Sequence, residues 1–273
     1  MAFTTWQIGL DIQNKHLCAL ALQPRRNGWQ LRHWWHWPLS EACQHQDSPC
    51  FTPSLLLQLA QWRRQLPQRY SLRIGIPPQL ALQRSLNLPE MQLREPALGH
   101  YVQAASKRLF PLDTAELTLD YRAQGDASVL AVTAAHRQRV NQWLQPLSEV
   151  GLTPTVIDLT TSALACVAQQ ASLPANSALV HQQQDGWLWY RCATGEYGYS
   201  NEGESLQQLQ LRAFSEATSI LLSNGTSAPD APSTHAFSPF SVFRFLQPPL
   251  PEQPGRFTVA AGLALRSEET TWC

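Results

Sequence analysis

Residues 8–12 and 17–22 are two apolar runs separated by the polar stretch Gln13-Asn14-Lys15-His16, a pattern that predicts a β-hairpin near the N-terminus. In the first run Ile8, Leu10 and Ile12 share one face, and Asp11 lies on the other beside the turn. A carboxylate at that place suits two roles. It can hold a cation or water near a phosphate, or it can bond the amides of its own turn, the commoner use of such a residue. Residues 28–38 alternate Trp29, Leu31, His33, Trp35 and Trp37 against Gln30, Arg32, Trp34 and His36, which predicts a half-buried strand. Thr52 and Pro53 form an N-cap and first-turn pair, and Leu55, Leu59, Trp62 and Leu66 follow at helical spacing up to Pro67. Residues 72–76 predict a short strand stopped by Pro77-Pro78. Period two then resumes through Leu80, Leu82, Leu86 and Leu88 to Pro89, so the double proline marks a candidate boundary.

Beyond it, Leu98, Val102, Ala105 and Leu109 predict a helix over 95–109, and 117–121 and 129–133 predict a pair of strands. A second helix over 136–150 carries Val140, Trp143, Leu147 and Val150 on one face, with Gly151 as its cap and a kink expected at Pro146. These elements make a compact α+β unit. Residues 155–157 predict a buried strand, and Asp158 has the position of an N-cap for a helix bearing Leu164, Val167 and Ala171. A second hairpin is expected between 177 and 200, turning at Asp185-Gly186. Leu206, Leu209, Ala213, Ala217 and Ile220 predict one helix over 205–222, ended by Asn224-Gly225. Residues 226–239 and 247–255 are rich in Ser and Pro and predict extended loops, with 242–246 as a strand between them.

Composition narrows the function. At 273 residues the chain suits one large or two modest domains. Charged residues are 15% and cancel to zero, which offers no long-range attraction to nucleic acid or an anionic membrane. The aromatic and basic mix around 34–37 resembles a base-stacking platform, but such a platform needs a surrounding positive groove, so core packing is the reading taken for those tryptophans. The six cysteines show no Cys-x-x-Cys pair and no zinc spacing, and His33 and His36 fall on opposite faces of a strand, so no metal site is expected. The N-terminus lacks a basic region followed by an apolar core, and no apolar run is long enough to cross a bilayer, so a cytoplasmic location is expected.

Gly9-Leu10-Asp11-Ile12-Gln13-Asn14 resembles the first phosphate hairpin of the actin-like ATPase superfamily, in particular of the PilM-like type IV pilus assembly proteins, which carry a Gly-Ile-Asp-Ile-Gly-Ser-type sequence there. The Asp is kept and the Gly after it is Gln13. The resemblance continues at Arg84-Ser85-Leu86-Asn87-Leu88-Pro89-Glu90-Met91, at Leu119-Asp120-Tyr121, over 151–159 and 162–165, and at the closing Gly262-Leu263-Ala264-Leu265-Arg266. It is nearest to the short members that enteric bacteria encode with genes for using external DNA as a nutrient. The implied fold is α/β, an actin-like (ribonuclease H-like) two-lobed fold with an inserted α+β subdomain and a reduced second lobe. Residues 1–76 and 152–175 would form subdomain 1A, 77–151 subdomain 1C, and 176–273 the second lobe, 2A with a shortened 2B.

The resemblance also implies a role: a cytoplasmic scaffold of a pilus-type or DNA-uptake machine, peripheral to the inner membrane through its partners. Those would be the N-terminal tail of a PilN-like inner-membrane protein and other pilus-assembly components, with no direct nucleic acid and no membrane insertion. In the family the tail lies between subdomains 1A and 1C, which on this chain points to Arg73, Ile74, Leu82, Arg84, Leu86, Leu98 and Val102.

To hold a triphosphate, this fold aims backbone N–H groups of two hairpin turns at the phosphates, and glycine lets the backbone approach. The second phosphate loop, usually Val-Asp-Ile-Gly, stands here as Val180-His181-Gln182-Gln183, and no Gly-rich adenosine-binding turn is present. Asp11, Gln13, Asn14, Lys15, Asp158, His181 and Gln183 are therefore expected to mark a degenerate nucleotide site, without catalytic residues or useful ATP turnover. No cofactor is required on this reading, and residual binding of ATP and Mg²⁺ stays open. The competing reading is an active actin-like ATPase with nucleotide-gated partner binding, which the retained Asp11 and Asp158 favour.

Overall fold

A computed structural model describes residues 5–13, 15–39, 44–45, 48–49, 51–89, 93–110, 113–124, 126–183, 186–223 and 234–266. The predicted N-terminal hairpin forms from β1 (Trp6–Ile12) and β2 (His16–Arg25), with Asp11 opposite Cys18. A second reversal leads into β3 (Gly28–Pro38), followed by the short pair β4 (Gln44–His45) and β5 (Ser48–Pro49) and by helix α1 (Pro53–Gln65). Thr52 caps α1 by accepting from Leu55 N. Strand β6 (Tyr70–Ile76) then lies parallel to β1, and β10 (Pro154–Leu159) parallel to β6, giving a five-stranded sheet in the order β10-β6-β1-β2-β3. Both faces of β1 are covered, which is why its apolar run is nearly continuous.

Between β6 and β10 the chain builds β7 (Ala81–Asn87), α2 (Ala97–Leu109), β8 (Leu117–Gln124), β9 (Asp126–His136) and α3 (Arg137–Glu149), with Pro146 inside α3. The three strands form an antiparallel sheet, β7-β9-β8, and α2 closes one face of it, packing its Val102 and the following Phe110 with Leu130 and Val132 of β9. After β10 come α4 (Thr160–Gln170), β11 (Ser177–Gln183), β12 (Gly186–Arg191), β13 (Tyr197–Tyr199), α5 (Leu206–Ala213), β14 (Ser219–Ser223), β15 (Thr234–Ala236) and α6 (Thr258–Leu265). The second five-stranded sheet runs β13-β12-β11-β14-β15.

The layers follow from which apolar faces meet. Ile8, Leu10, Leu72 and Ile74 pack on Leu55, Leu59 and Trp62 of α1 and on Trp143 and Leu147 of α3. On the other face Leu20, Leu22 and Leu31 meet α4, α6 and the inner side of the second sheet at Leu179 and Leu188. The outer side of that sheet, Ala178, Val180 and Ile220, is closed by Leu209 of α5 and by Phe214. Helix α6 is buried along its whole length, so it has no polar face to orient it. Glycines set its depth instead. A Cβ at Gly9 of β1 would overlap the Ala260 carbonyl oxygen of α6, and one at Gly262 of α6 would overlap the Ala163 carbonyl oxygen of α4. At its C-terminal end the fully buried Arg73 donates Nη1–H to Ala264 O over 3.2 Å, placing a cation at the negative end of the helix dipole.

Several expectations are corrected. The register of β2 against β3 shifts between Ala21 and Leu22, which leaves Arg32 as the extra residue of a β-bulge. The bulge exchanges the faces of β3. Trp29 and Leu31 belong with Trp34 to the core shared with the second sheet, whereas Trp35 and Trp37 stack edge-on against Trp62 of the other core. The helix expected over 205–222 is only α5, closed at its start by a Ser205–Gln208 capping box. Residues 219–223 are instead β14, because Ile220-Leu221-Leu222 completes the sheet beside β11. Residues 242–246 form no strand; a 3-10 turn runs Pro239–Val242 and only Phe245 bridges to Gln30. Strand β15 lies within the stretch expected to be loop. Strand β10 is an edge strand with Thr155 exposed, not a buried one.

The two glycine contacts yield the first prediction. Gly262→Ala and Gly9→Ala each place a methyl group into backbone that cannot rotate away, and each is expected to lower unfolding free energy by about 3 kcal/mol or more. Urea denaturation followed by circular dichroism measures it; a midpoint unchanged in both variants would show that α6 sits farther from β1 and α4.

Candidate functional site

The β1–β2 turn and the β11–β12 hairpin face each other across a cleft of about 100 Å³, lined among others by Asp11, Gln13, Lys15, His16, Gly75, Thr160, Gln183, Gly186, Trp187 and Ser200. Described donors on both sides, those of Gln13 and Trp187, bond within the protein. Gln13 N donates to His16 O over 2.9 Å, and the Gln13 side chain folds back so that Nε2 donates to Asp11 Oδ2 over 2.6 Å. Across the cleft Trp187 N donates to Ser200 Oγ over 2.9 Å, and the indole N–H of Trp187 bonds Glu204 O over 3.1 Å. Gly186 has φ +153°, and a Cβ there would press on the same Ser200 hydroxyl.

Asp11 is 1% exposed, and burial pushes its carboxyl up to about 7 against the lowering hydrogen bond from Gln13. Among the described residues its hydrogen bond is to the side-chain amide of Gln13 rather than to turn backbone. His181 is fully buried, its Nδ1 2.8 Å from Ser223 Oγ, and burial together with the neighbouring His16 lowers it to about 3. His16 is lowered to about 4 by burial, Arg256 and His36. Both imidazoles are therefore neutral at pH 7. Lys15, exposed at the mouth, brings the one formal positive charge among the described lining residues. A triphosphate with its metal would need open backbone donors and a carboxylate free to ligate. On the first turn the described donor Gln13 N and the carboxylate of Asp11 are both already bonded within the turn. Among the described residues no group of three His, Cys, Asp or Glu side chains is placed to hold a metal ion.

The residues expected at the site separate into three sets. Asp11, Gln13, Lys15 and Gln183 line the cleft. His181 lies in the protein interior without lining it, and Asn14 lies outside the described residues. Asp158 is corrected most. It neither lines the cleft nor caps α4, whose N-cap is Leu159; it accepts from Leu159 N over 2.8 Å and pairs with Arg266, with Arg122 of β8 3.6 Å away. Burial raises its carboxyl to about 6 in spite of Arg122. Asp158 thus joins the three-stranded unit, the first sheet and the end of α6.

Of the expected partner-groove residues, Arg73 and Ile74 are fully buried beneath α6 and α1, and Val102 is buried on the inner face of α2 against the three-stranded sheet, so none of these three can touch a partner at the surface. Leu82, Leu86 and Leu98 pack half-buried in the same small core, and Arg84 alone is exposed. Sequence reasoning missed Gly75, Thr160, Trp187 and Ser200 as lining residues. The signal for Thr160 was its place where a strand turns directly into a helix; its buried Oγ1 has no hydrogen-bond partner among the described residues.

Asp11 titrates far above its unfolded value of 3.8, so the folded chain binds more protons than the unfolded one between about pH 4 and pH 7, and stability falls as pH rises through that window. Asp11→Asn is expected to raise unfolding free energy by about 2–4 kcal/mol at pH 8, with the gain vanishing near pH 4. Urea midpoints at the two pH values check it, and a destabilised variant at pH 8 would show an ionised carboxylate held by a cation.

No family model matches the chain. It is 29% identical over 270 residues to the DNA utilization protein HofM of Escherichia coli (strain K12), covering 97% of this chain and 98% of that protein. Among solved structures it is similar to the PilM-PilN type IV pilus biogenesis complex, with TM-score 0.64 and 17% identity over 94% of this chain and 97% of the other. It is also similar to the cytoplasmic domain of EpsL, an inner-membrane component of the type II secretion system of Vibrio cholerae, with TM-score 0.56 and 12% identity over 96% and 95%. By sequence the chain is similar to HofM over nearly the whole of both chains, and by fold it is an α/β protein similar to the PilM-PilN complex, with the actin-like architecture expected of the sequence.

Proposed function

We propose that this protein is a cytoplasmic scaffold of a type IV pilus-like or DNA-uptake machine, serving the use of external DNA as a nutrient. On this reading its cleft is a degenerate nucleotide site without useful ATP turnover. The scaffold docks the N-terminal cytoplasmic tail of a PilN-like inner-membrane protein and stays peripheral to the membrane through that partner. No described helix is long and apolar enough to cross a membrane. The observation that carries the cleft's role is Gln13, whose backbone N–H and side-chain amide are both engaged where an anion would need open donors. The likeness to HofM over nearly both whole chains, together with the PilM-like fold, supports the assembly role.

The subdomain division is part of the proposal: 1–76 with 152–175 as 1A, 77–151 as 1C, and 176–273 as the second lobe. The tail would run between 1A and 1C, where the edge strand β10 and the exposed Arg84 of β7 stand at the surface. One observation favours the other reading, an ATPase whose partner binding is nucleotide-gated: Asp11 and the unpartnered Thr160 hydroxyl still face the cleft.

Calorimetric titration of the nucleotide-free protein with the tail peptide of the PilN-like protein encoded beside it is expected to give saturable one-to-one binding, weakened by Arg84→Glu. Absence of binding that Mg²⁺-ATP restores would establish the gated ATPase instead. Mg²⁺-ATP itself is expected to bind no more tightly than about millimolar; low-micromolar binding abolished by Asp11→Ala would overturn the degenerate site.

A further inference from the structure

The net charge of zero conceals a segregation of charge. Residues 1–75 hold eight Lys and Arg against three Asp and Glu. Among the described residues of that segment Asp11 is the one carboxylate, and it lies in the cleft. Strand directions place the arginines at the other end of the first sheet. Arg25 and Arg26 form the β2–β3 turn, Arg64 sits in the last turn of α1, and Arg69 precedes Tyr70 at the start of β6; all four are exposed. Trp6 opens β1 directly beside Tyr70.

Three further guanidinium groups complete this rim, each over an aromatic ring: Arg32 lies 5.4 Å from the Trp6 centroid, Arg63 5.0 Å from Tyr70 and Arg244 5.9 Å from Phe245. Arg244 reaches the same end because its Nη1 donates to Asn27 O. No ion pair joins any of these seven arginines to a described carboxylate; Glu149, closing α3 two residues before the Gly151 carbonyl that Arg63 binds, takes its hydrogen bond from Gln145. Beside them Phe245 and Leu246 are each 42% exposed.

We propose that this arginine and aromatic rim is a docking surface for an anionic lipid membrane. Clustered basic residues draw a protein to anionic headgroups, and exposed apolar side chains among them enter the headgroup region. A nucleic acid fits less well: single-strand binding needs open ring faces for base stacking, and here a guanidinium already covers the Trp6, Tyr70 and Phe245 faces. An acidic protein would account for the arginines but not for the exposed Phe245 and Leu246. The surface lies at the far end of the sheet from the cleft, so the inference goes beyond the scaffold role and does not depend on it.

Flotation of the full chain with vesicles tests it. Binding is expected to vesicles of phosphatidylglycerol and phosphatidylcholine, to be absent with phosphatidylcholine alone, and to be lost at high salt. The fourfold variant Arg25→Glu, Arg26→Glu, Arg64→Glu, Arg69→Glu is expected to lower vesicle affinity by about a hundredfold or more with an unchanged thermal midpoint. Phe245→Ser with Leu246→Ser weakens binding while keeping its salt dependence. No flotation with anionic vesicles, equal flotation with neutral ones, or full flotation of the fourfold variant overturns the proposal. So does a salt-sensitive affinity for a short DNA strand that exceeds the affinity for vesicles. If the fourfold variant does not fold, the headgroup and salt dependence of the unaltered chain decides.

Discussion

The fold depends on how closely α6 approaches its neighbours. A helix with no polar face has no amphipathic reason to choose one orientation, and most such helices would slide or rotate within a hydrophobic layer. Here two missing side chains, at Gly9 and Gly262, bring backbone against backbone, and Arg73 closes the helix end from beneath. Once α6 is fixed, β1 beneath it and α4 beside it are fixed too. With them the β1–β2 turn and the second sheet acquire the separation that makes the cleft.

That cleft is lined by groups whose charged forms burial disfavours. Burial raises the Asp11 carboxyl to about 7, both nearby histidines are uncharged at pH 7, and the Gln13 donors bond within the protein. Burying Asp11 costs stability at neutral and alkaline pH, with no ion pair among the described residues to offset it. The cationic character of the chain lies elsewhere, on the rim at the far end of the sheet. A uniform count of charges could not reveal this, because segregation is a property of strand direction and not of composition.

The sequence made the elements legible wherever a single local force decided them. The N-terminal hairpin, α1 with its Thr52 cap and the three-stranded unit stand where period and punctuation placed them, and α6 stands where the family resemblance put the closing motif. It misled where a tertiary partner outweighed local pattern. Ile220-Leu221-Leu222 continues a helical period, yet the open edge of β11 recruits it as β14. Asp158 has a cap's position, but Arg266, over a hundred residues later, takes its carboxylate. The cleft was legible at Asp11 and Gln13, where the turn's own residues carry the chemistry. It was not legible at Thr160, Trp187 and Ser200, which reach it only through the packing of one sheet against the other. The buried Arg73 and Ile74 show the same limit for a surface groove, since a strand reads alike whether a partner or the protein's own helix covers it.

The bulge at Arg32 has an optical consequence. By moving Trp34 to one core and leaving Trp35 and Trp37 in the other, it gives each half of the molecule its own indole chromophores on a single strand. Trp35 and Trp37 both lie edge-on to Trp62 in an apolar setting, whereas Trp34 bonds the Pro249 carbonyl and borders Phe257. The emission of the two sets therefore responds to different events: loosening of α1 from the sheet in one case, and separation of the second sheet in the other. A strand of eleven residues thus serves as a built-in reporter of which half of the protein opens first.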